Sequence, residues 1–230
     1  PRYLVRAGKK ELSHKVLIRL RQEYTSEQIN SELQDIENAD AKAHKGGIKE
    51  LFTIGKAPLI AAIGLMFFQQ LVGINSVIYY LPQVFIKGFH LSDSISIWIS
   101  VGIGTVNFLS TILATKIMDK FPRKKLLIWG ALVMGFSLGI ITIINYTVNI
   151  ETAAIFTIIL IAIYIFGFAV SWGPICWILI AEMFPLNIRG VGSSFGSAAN
   201  WIGNFLVTQF FLSILVFFHD NIGGPFAIFT

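Results

Sequence analysis

The pattern of apolar and polar positions divides the chain into one mixed segment followed by five uncharged runs. Residues 57–80, 94–115, 126–150, 152–181 and 190–218 contain no Asp, Glu, Lys or Arg, and short polar links separate them. Each run exceeds the roughly 20 residues a helix needs to cross a hydrocarbon core about 30 Å thick. A transmembrane barrel would instead show segments of about 10 residues with alternating polarity. Because a bilayer offers no water to backbone groups, runs of this length and uniformity predict helices. The pattern therefore predicts five spans and, in the apolar run 223–230, the beginning of a sixth.

The segment before the first span is patterned differently. Leu12, Val16, Leu17 and Leu20 give one apolar helical face, and Ile29, Leu33 and Ile36 give another after a cap at Thr25 or Ser26. Residues 11–45 thus read as soluble helices. Composition supports the division: 54% of residues are apolar, 13% are charged and the mean hydropathy is +0.69, which excludes an ordinary soluble domain. Residues 1–56 hold 11 of the 18 basic and 8 of the 13 acidic residues. The net charge of +5 is a topology signal rather than a nucleic-acid footprint. Lys116, Lys120, Arg123, Lys124 and Lys125 sit in the link between the second and third spans, and Arg189 precedes the fifth. The opposite links hold only Lys87 among basic residues. Basic links face the cytoplasm, so residues 1–50 are expected as a cytoplasmic helical linker and 51–230 as the membrane domain. Starting at Pro1 and ending in an apolar run, the chain reads as a fragment cut at both ends.

Two spans carry helix breakers. Gly73 beside Asn75 interrupts the first, and Gly167, Gly173 and Pro174 interrupt the fourth, whose 30 residues would make a straight helix about 45 Å long. The break is expected at Gly173-Pro174. Alternation makes the first and fourth spans run in opposite directions. Interrupted helices at these positions fit inverted three-helix repeats with a ligand site near the midplane.

Polar residues within the spans are amides and hydroxyls. Gln69, Gly73, Ser76 and Tyr80 recur at helical spacing, as do Ser100, Gly104, Asn107 and Thr111, and Ser193, Ser197, Asn200, Asn204 and Thr208. An amide both donates and accepts, so this lining suits a neutral polyhydroxylated ligand. Trp172, Trp177 and Trp201 supply aromatic faces for a sugar ring. The competing role is helix packing, for which Gly135 with Gly139 and Gly192 with Gly196 have the small-xxx-small spacing. Cys176 is the single cysteine, and His14, His44, His90 and His219 lie outside the spans. Neither a metal nor a cofactor is expected.

Pro1-Arg2-Tyr3-Leu4, the run Gln69 to Asn75 with Tyr79-Tyr80, Gly173-Pro174-Ile175-Cys176-Trp177, Glu182-Met183-Phe184-Pro185 with Arg189-Gly190, and Asn200-Trp201 together resemble the sugar porter family of the major facilitator superfamily. The resemblance covers the whole chain as the linker, transmembrane helices seven to eleven and the start of twelve. It implies an all-α polytopic membrane protein of the major facilitator fold, of which this chain is the carboxy-terminal half. It further implies that Gln69, Gln70, Asn75 and Asn107 hydrogen-bond sugar hydroxyls, that Trp177 lines the pocket, and that Gly173 lets the backbone approach. Asn200, Trp201 and Asn204 would form a wall, with Tyr79 near the outer gate. Asp119, Arg123, Glu182 and Arg189 would form cytoplasmic ion pairs that bias one conformation, although Pro122 stands where the family has Gly.

The function so implied is transport of a neutral monosaccharide by alternating access with a missing amino-terminal half, in the plasma membrane of a bacterium. Ser171-Trp172-Gly173-Pro174 resembles the bacterial proton symporter branch, so proton coupling is the first expectation. The alternatives are an uncoupled facilitator, a non-transporting sugar sensor and a membrane glycosyl transferase. The last wants carboxylates or a metal at its site, and all five acids beyond residue 56 lie at span ends or in links.

Overall fold

The computed structural model describes residues 1–42, 48–53 and 55–230. Residues 43–47 of the expected linker, His44 among them, lie outside that set. Four short helices come first: α1 (Arg2–Arg6), α2 (Lys10–Leu20), α3 (Ser26–Lys42) and α4 (Ile48–Thr53). A reciprocal box fixes the start of α3. The Thr25 amide donates to Gln28 Oε1 at 2.9 Å, and the Gln28 amide donates to Thr25 Oγ1 at 3.4 Å, which selects Thr25 over Ser26 as the cap. Only part of the predicted α2 stripe is used, since Leu17 is buried with Ile29 while Leu12 and Leu20 stay exposed. Ion pairs Lys10–Glu37 at 2.8 Å and Arg21–Glu32 at 3.3 Å join α2 to α3 on the exposed side.

Five segments long and apolar enough to cross a membrane follow: Lys56–Gly88, Asp93–Ile117, Arg123–Thr147, Ile150–Glu182 and Arg189–Phe217. They match the five predicted runs. The first extends further than expected because a π-helical turn, Val84–Gly88, continues it past Pro82 and Gln83. The third stops at Thr147 because Asn149 caps the next helix, its Oδ1 accepting from the Thr152 amide at 2.9 Å.

The first span consists of α5 (Lys56–Leu71) and α6 (Ile74–Gln83), and the fourth of α9 (Ile150–Val170) and α10 (Trp172–Glu182). Between them run the uninterrupted α7 (Asp93–Ile117) and α8 (Arg123–Thr147); α11 (Arg189–Phe217) forms the fifth span, and α12 (Gly223–Phe229) begins a sixth. At the first break Gly73 adopts φ +81°, and a Cβ there would come within 2.5 Å of the Phe229 ring. The second break falls at Ser171 (φ −126°, ψ −86°), two residues before the expected Gly173-Pro174. Proline lacks an N–H and is tolerated in the first turn of a helix. Pro174 accordingly lies in the first turn of α10 and helps to start that half-helix, leaving the discontinuity to Ser171.

Packing follows the repeat. The second span lies on the fourth (α7 on α9), and the fifth lies on the first (α11 on α5), the same contact with the triplets exchanged. Close approach of α8 to α9 depends on Gly167, where a Cβ would meet Val133 at 2.9 Å. Gly192 and Gly196 do pack, against Phe184 and against Ile180 with Ala62. Gly135 meets no neighbour among the described residues and Gly139 meets Thr230 at the end of α12, so only one of that predicted pair faces another span.

Two apolar clusters result. One contains Leu59, Ala62 and Met66 of α5 with Cys176 and Ile180 of α10. The other contains Ile74, Val77 and Leu81 of α6 with Ile161, Tyr164 and Ile165 of α9. Each broken span therefore changes cluster at its break. Tyr164 ties the fourth span to the break in the first: its hydroxyl donates to the Val72 carbonyl at 2.7 Å, an acceptor the break leaves without a helical N–H. Gly73→Ala should destabilise the protein by about 1–3 kcal/mol through left-handed strain, with added cost from the displaced Phe229 ring. Thermal unfolding of the purified protein, with Gly135→Ala as a tolerated control, checks this outcome.

Candidate functional site

A layer of amides lies at the level of the two breaks. Gln69 lies in the last turn of α5 and is 1% exposed. Its Nε2 donates to the Trp172 carbonyl at 2.7 Å and lies 3.3 Å from the Gly173 carbonyl, while its Oε1 accepts from Asn200 Nδ2 at 2.7 Å. Asn200 Nδ2 also donates to the Met66 carbonyl at 3.2 Å. Because backbone carbonyls only accept, these partners fix the orientation of both amide groups. One side chain thus joins α5, α10 and α11.

Gln70 and Asn75 form a second pair across the first break, with Asn75 Nδ2 donating to Gln70 Oε1 at 2.8 Å. Gln70 is buried against α11 because Gly203 has no side chain; a Cβ on Gly203 would stand 3.1 Å from Gln70 Cβ. Gly203 falls between Asn200 and Asn204, so the structure brings Gln70, Asn75, Asn200 and Asn204 into one neighbourhood. Asn204 is buried with its Oδ1 unpartnered, and the buried Ser76 Oγ is unpartnered too. Unpaired buried polar atoms are costly, and those of Asn204 and Ser76 leave hydrogen-bonding capacity near the break.

The remaining predicted residues sit differently. Asn107 is half-buried on α7. The hydroxyls of its stripe are spent on their own helix, Ser100 on the Ser96 carbonyl at 2.8 Å and Thr111 on that of Asn107 at 2.9 Å. Gly173 is tight against Phe168, 3.3 Å from where its Cβ would be, so its missing side chain serves the turn between α9 and α10. Tyr79, Trp177 and Trp201 are 56%, 44% and 63% exposed, and project from the surface of this chain. On α11 the predicted stripe divides its work: Ser193 donates to the Ile180 carbonyl at 3.1 Å as helix glue, whereas Asn200 enters the amide layer.

Three contributions were not predicted. Tyr164 closes the first break, Trp172 Nε1 donates to the Leu127 carbonyl of α8 at 2.9 Å, and Gly203 admits Gln70. A sequence signal existed for Tyr164 and Trp172: a phenolic hydroxyl or an indole N–H inside an uncharged run needs a partner.

At the ends of α8 and α10, Arg123 ion-pairs with Glu182, their side chains 37% and 50% exposed. Pro122, the residue standing in place of the family's Gly, is the N-cap of α8 with φ −58° and ψ 128°, and it sets Arg123 at the first helical position. Arg189 donates from Nε to the Phe184 carbonyl at 3.5 Å. Asp119 has no ion-pair partner among the described residues.

An uncharged layer with both donors and acceptors, held between two discontinuous helices, is chemistry for a neutral polar ligand. The chain is 41% identical over 221 residues to a D-xylose transporter of Levilactobacillus brevis, covering 95% of this chain and 48% of the relative. It is 34% identical to the glucose facilitated diffusion protein of Zymomonas mobilis over 92% of this chain and 43% of that protein. The fold superposes with a TM-score of 0.79 on the solved proton:xylose symporter XylE bound to 6-bromo-6-deoxy-D-glucose, at 33% identity, covering all of this chain and 47% of that one. The chain thus spans about half the length of the curated relatives it matches. The family described as "Sugar (and other) transporter" matches residues 1–230; with the broken spans and the amide layer they carry, this chain belongs to the sugar porter family of the major facilitator superfamily.

Proposed function

We propose that this chain is the carboxy-terminal half of a transporter that moves a neutral monosaccharide across a bacterial plasma membrane by alternating access. The observation that carries the reading is the buried amide layer of Gln69, Gln70, Asn75, Asn200 and Asn204 at the junction of two broken spans. Asn107, Gly173, Trp177, Trp201 and Tyr79 complete the site from the surfaces that meet the other half. Residues 1–50 are the cytoplasmic linker to that half and 51–230 the membrane domain.

Each broken span divides its two half-helices between the two apolar clusters, and this supplies the mechanical basis, because a half-helix can tilt with its own cluster against the continuous α8 and α11. A proton-coupled transporter would carry its coupling group outside this chain, since every acid beyond residue 56 stands at a span end or in a link. That same observation, together with the similarity to the facilitated diffusion protein, favours uncoupled movement as the second reading. Sugar accumulation in vesicles under an imposed pH gradient separates the two. Arg123 with Glu182 acts as a cytoplasmic latch, with Asp119 and Arg189 joining it in another conformation.

In proteoliposomes of the full-length protein, Gln70→Ala should weaken sugar counterflow about tenfold, the loss expected for one buried hydrogen bond near 1.4 kcal/mol. Unchanged counterflow by an inserted variant contradicts the site. Arg123→Glu and Glu182→Arg should each change the transport rate by no more than about fivefold, because partly exposed pairs contribute about 0–1 kcal/mol. Combining them should restore the rate, and a double variant no better than either single one removes the latch.

A further inference from the structure

Asn75 stands in the first turn of α6, and α6 joins α5 through the irregular backbone at Gly73. Helix continuity therefore does not fix where this half-helix stands, and its packing must. Gly73 and Tyr80, two helical turns apart, share one face of α6. The Tyr80 ring lies parallel to that of Phe211 on α11, with centroids 5.4 Å apart and planes 4° apart. Phe211 is parallel in turn to Phe229 on α12, at 6.2 Å and 7°. The last ring returns to α6. It rests where Gly73 has no side chain, so close that a Cβ there would stand 2.5–2.7 Å from its carbons. A single row of rings thus touches one face of α6 at both ends. The row is supported by two unbroken spans. Phe211 is fully buried on α11, and α12 is fastened to α8. Thr142 Oγ1 donates to the Gly223 carbonyl at 3.3 Å, and Asn221 Nδ2 donates to the Asn145 carbonyl at 3.3 Å.

Resting on the sugar-site reading above, we propose that Phe229 is a positioning residue: seated on Gly73 and stacked through Phe211 on Tyr80, it fixes α6, and with it Asn75, without touching the sugar. The start of the sixth span, which adds no polar group to the amide layer, thereby sets the geometry of that layer. Parallel rings at these spacings attract one another beyond the area they bury. Without the flat ring α6 samples other positions, and a site whose competent arrangement is only fractionally populated binds more weakly by that fraction. Because the ring reads no hydroxyl, the loss falls equally on every sugar.

The test uses the full-length protein, with equilibrium binding of D-xylose, D-glucose and their monodeoxy analogues beside amide hydrogen exchange, a readout that needs no sugar. A wild-type protein that binds neither parent sugar overturns the sugar-site reading itself, while the exchange comparison still decides whether the row holds α6. Phe229→Leu keeps apolar bulk and loses the flat ring. It should speed exchange at residues 77–81 and weaken binding of every sugar by about two- to tenfold, the range set by one aromatic pair. Each missing hydroxyl should cost what it costs in wild type. Phe229→Tyr, which restores a flat ring, should return both readings towards wild type, and Ile228→Ala, on the exposed side of α12, should change neither. Wild-type exchange in α6 or wild-type affinity in Phe229→Leu overturns the positioning role. So does a loss confined to sugars bearing one particular hydroxyl, because the ring would then meet the sugar itself. Should Phe229→Leu fail to fold, Phe211→Leu breaks the row at its middle. The same uniform loss is expected there, and wild-type exchange and affinity would contradict the proposal.

Discussion

A backbone group freed inside a membrane has no water to turn to, and the structure depends on how that need is met at two places. Each broken span supplies a side chain to the break of the other. Tyr164 of the fourth span donates to the Val72 carbonyl where the first is interrupted, and Gln69 of the first donates to the Trp172 carbonyl where the fourth resumes. The Val72 carbonyl has no helical N–H, and leaving such an acceptor orphaned costs about 1–3 kcal/mol. The Trp172 carbonyl opens α10, so Gln69 adds a second donor to it and fastens that half-helix to α5.

The breaks also separate the apolar packing into two bodies. Met66 and Ile180 belong to one cluster, Ile74 and Tyr164 to the other, and Trp172 packs against both. In the two broken spans, motion of one cluster against the other is taken up at Gly73 and Ser171, whereas the continuous α8 and α11 run alongside both clusters. The amide layer lies at that joint. A ligand bound there contacts both bodies at once, so binding can bias their relative position, provided its contacts differ between the two arrangements.

Much of this was legible in the sequence. Uncharged runs above the length of a bilayer crossing gave all five spans, and Gly73 gave the first break, because glycine tolerates the left-handed conformation needed there. The second break was displaced from Gly173-Pro174 to Ser171, since proline is at ease in a first helical turn and the neighbouring serine takes the irregular backbone. Periodicity put Asn200 and Asn204 on one face but could not say that Gln69 would consume the donor of Asn200, which is a matter of three helices meeting. Gly203 was invisible for the same reason: its role is the space it leaves for Gln70. The ion pairs divided likewise, with Arg123 and Glu182 adjacent in the fold while Arg189 turned to the Phe184 carbonyl.

Reciprocal bracing of the two breaks is most directly tested by amide hydrogen exchange on the full-length protein in detergent, comparing wild type with Tyr164→Phe. The substitution lies in the fourth span, yet the account predicts faster exchange at residues 73–77 of the first, with the remainder of α9 little changed. Acceleration confined to the residues around position 164, with 73–77 as protected as in wild type, would contradict it.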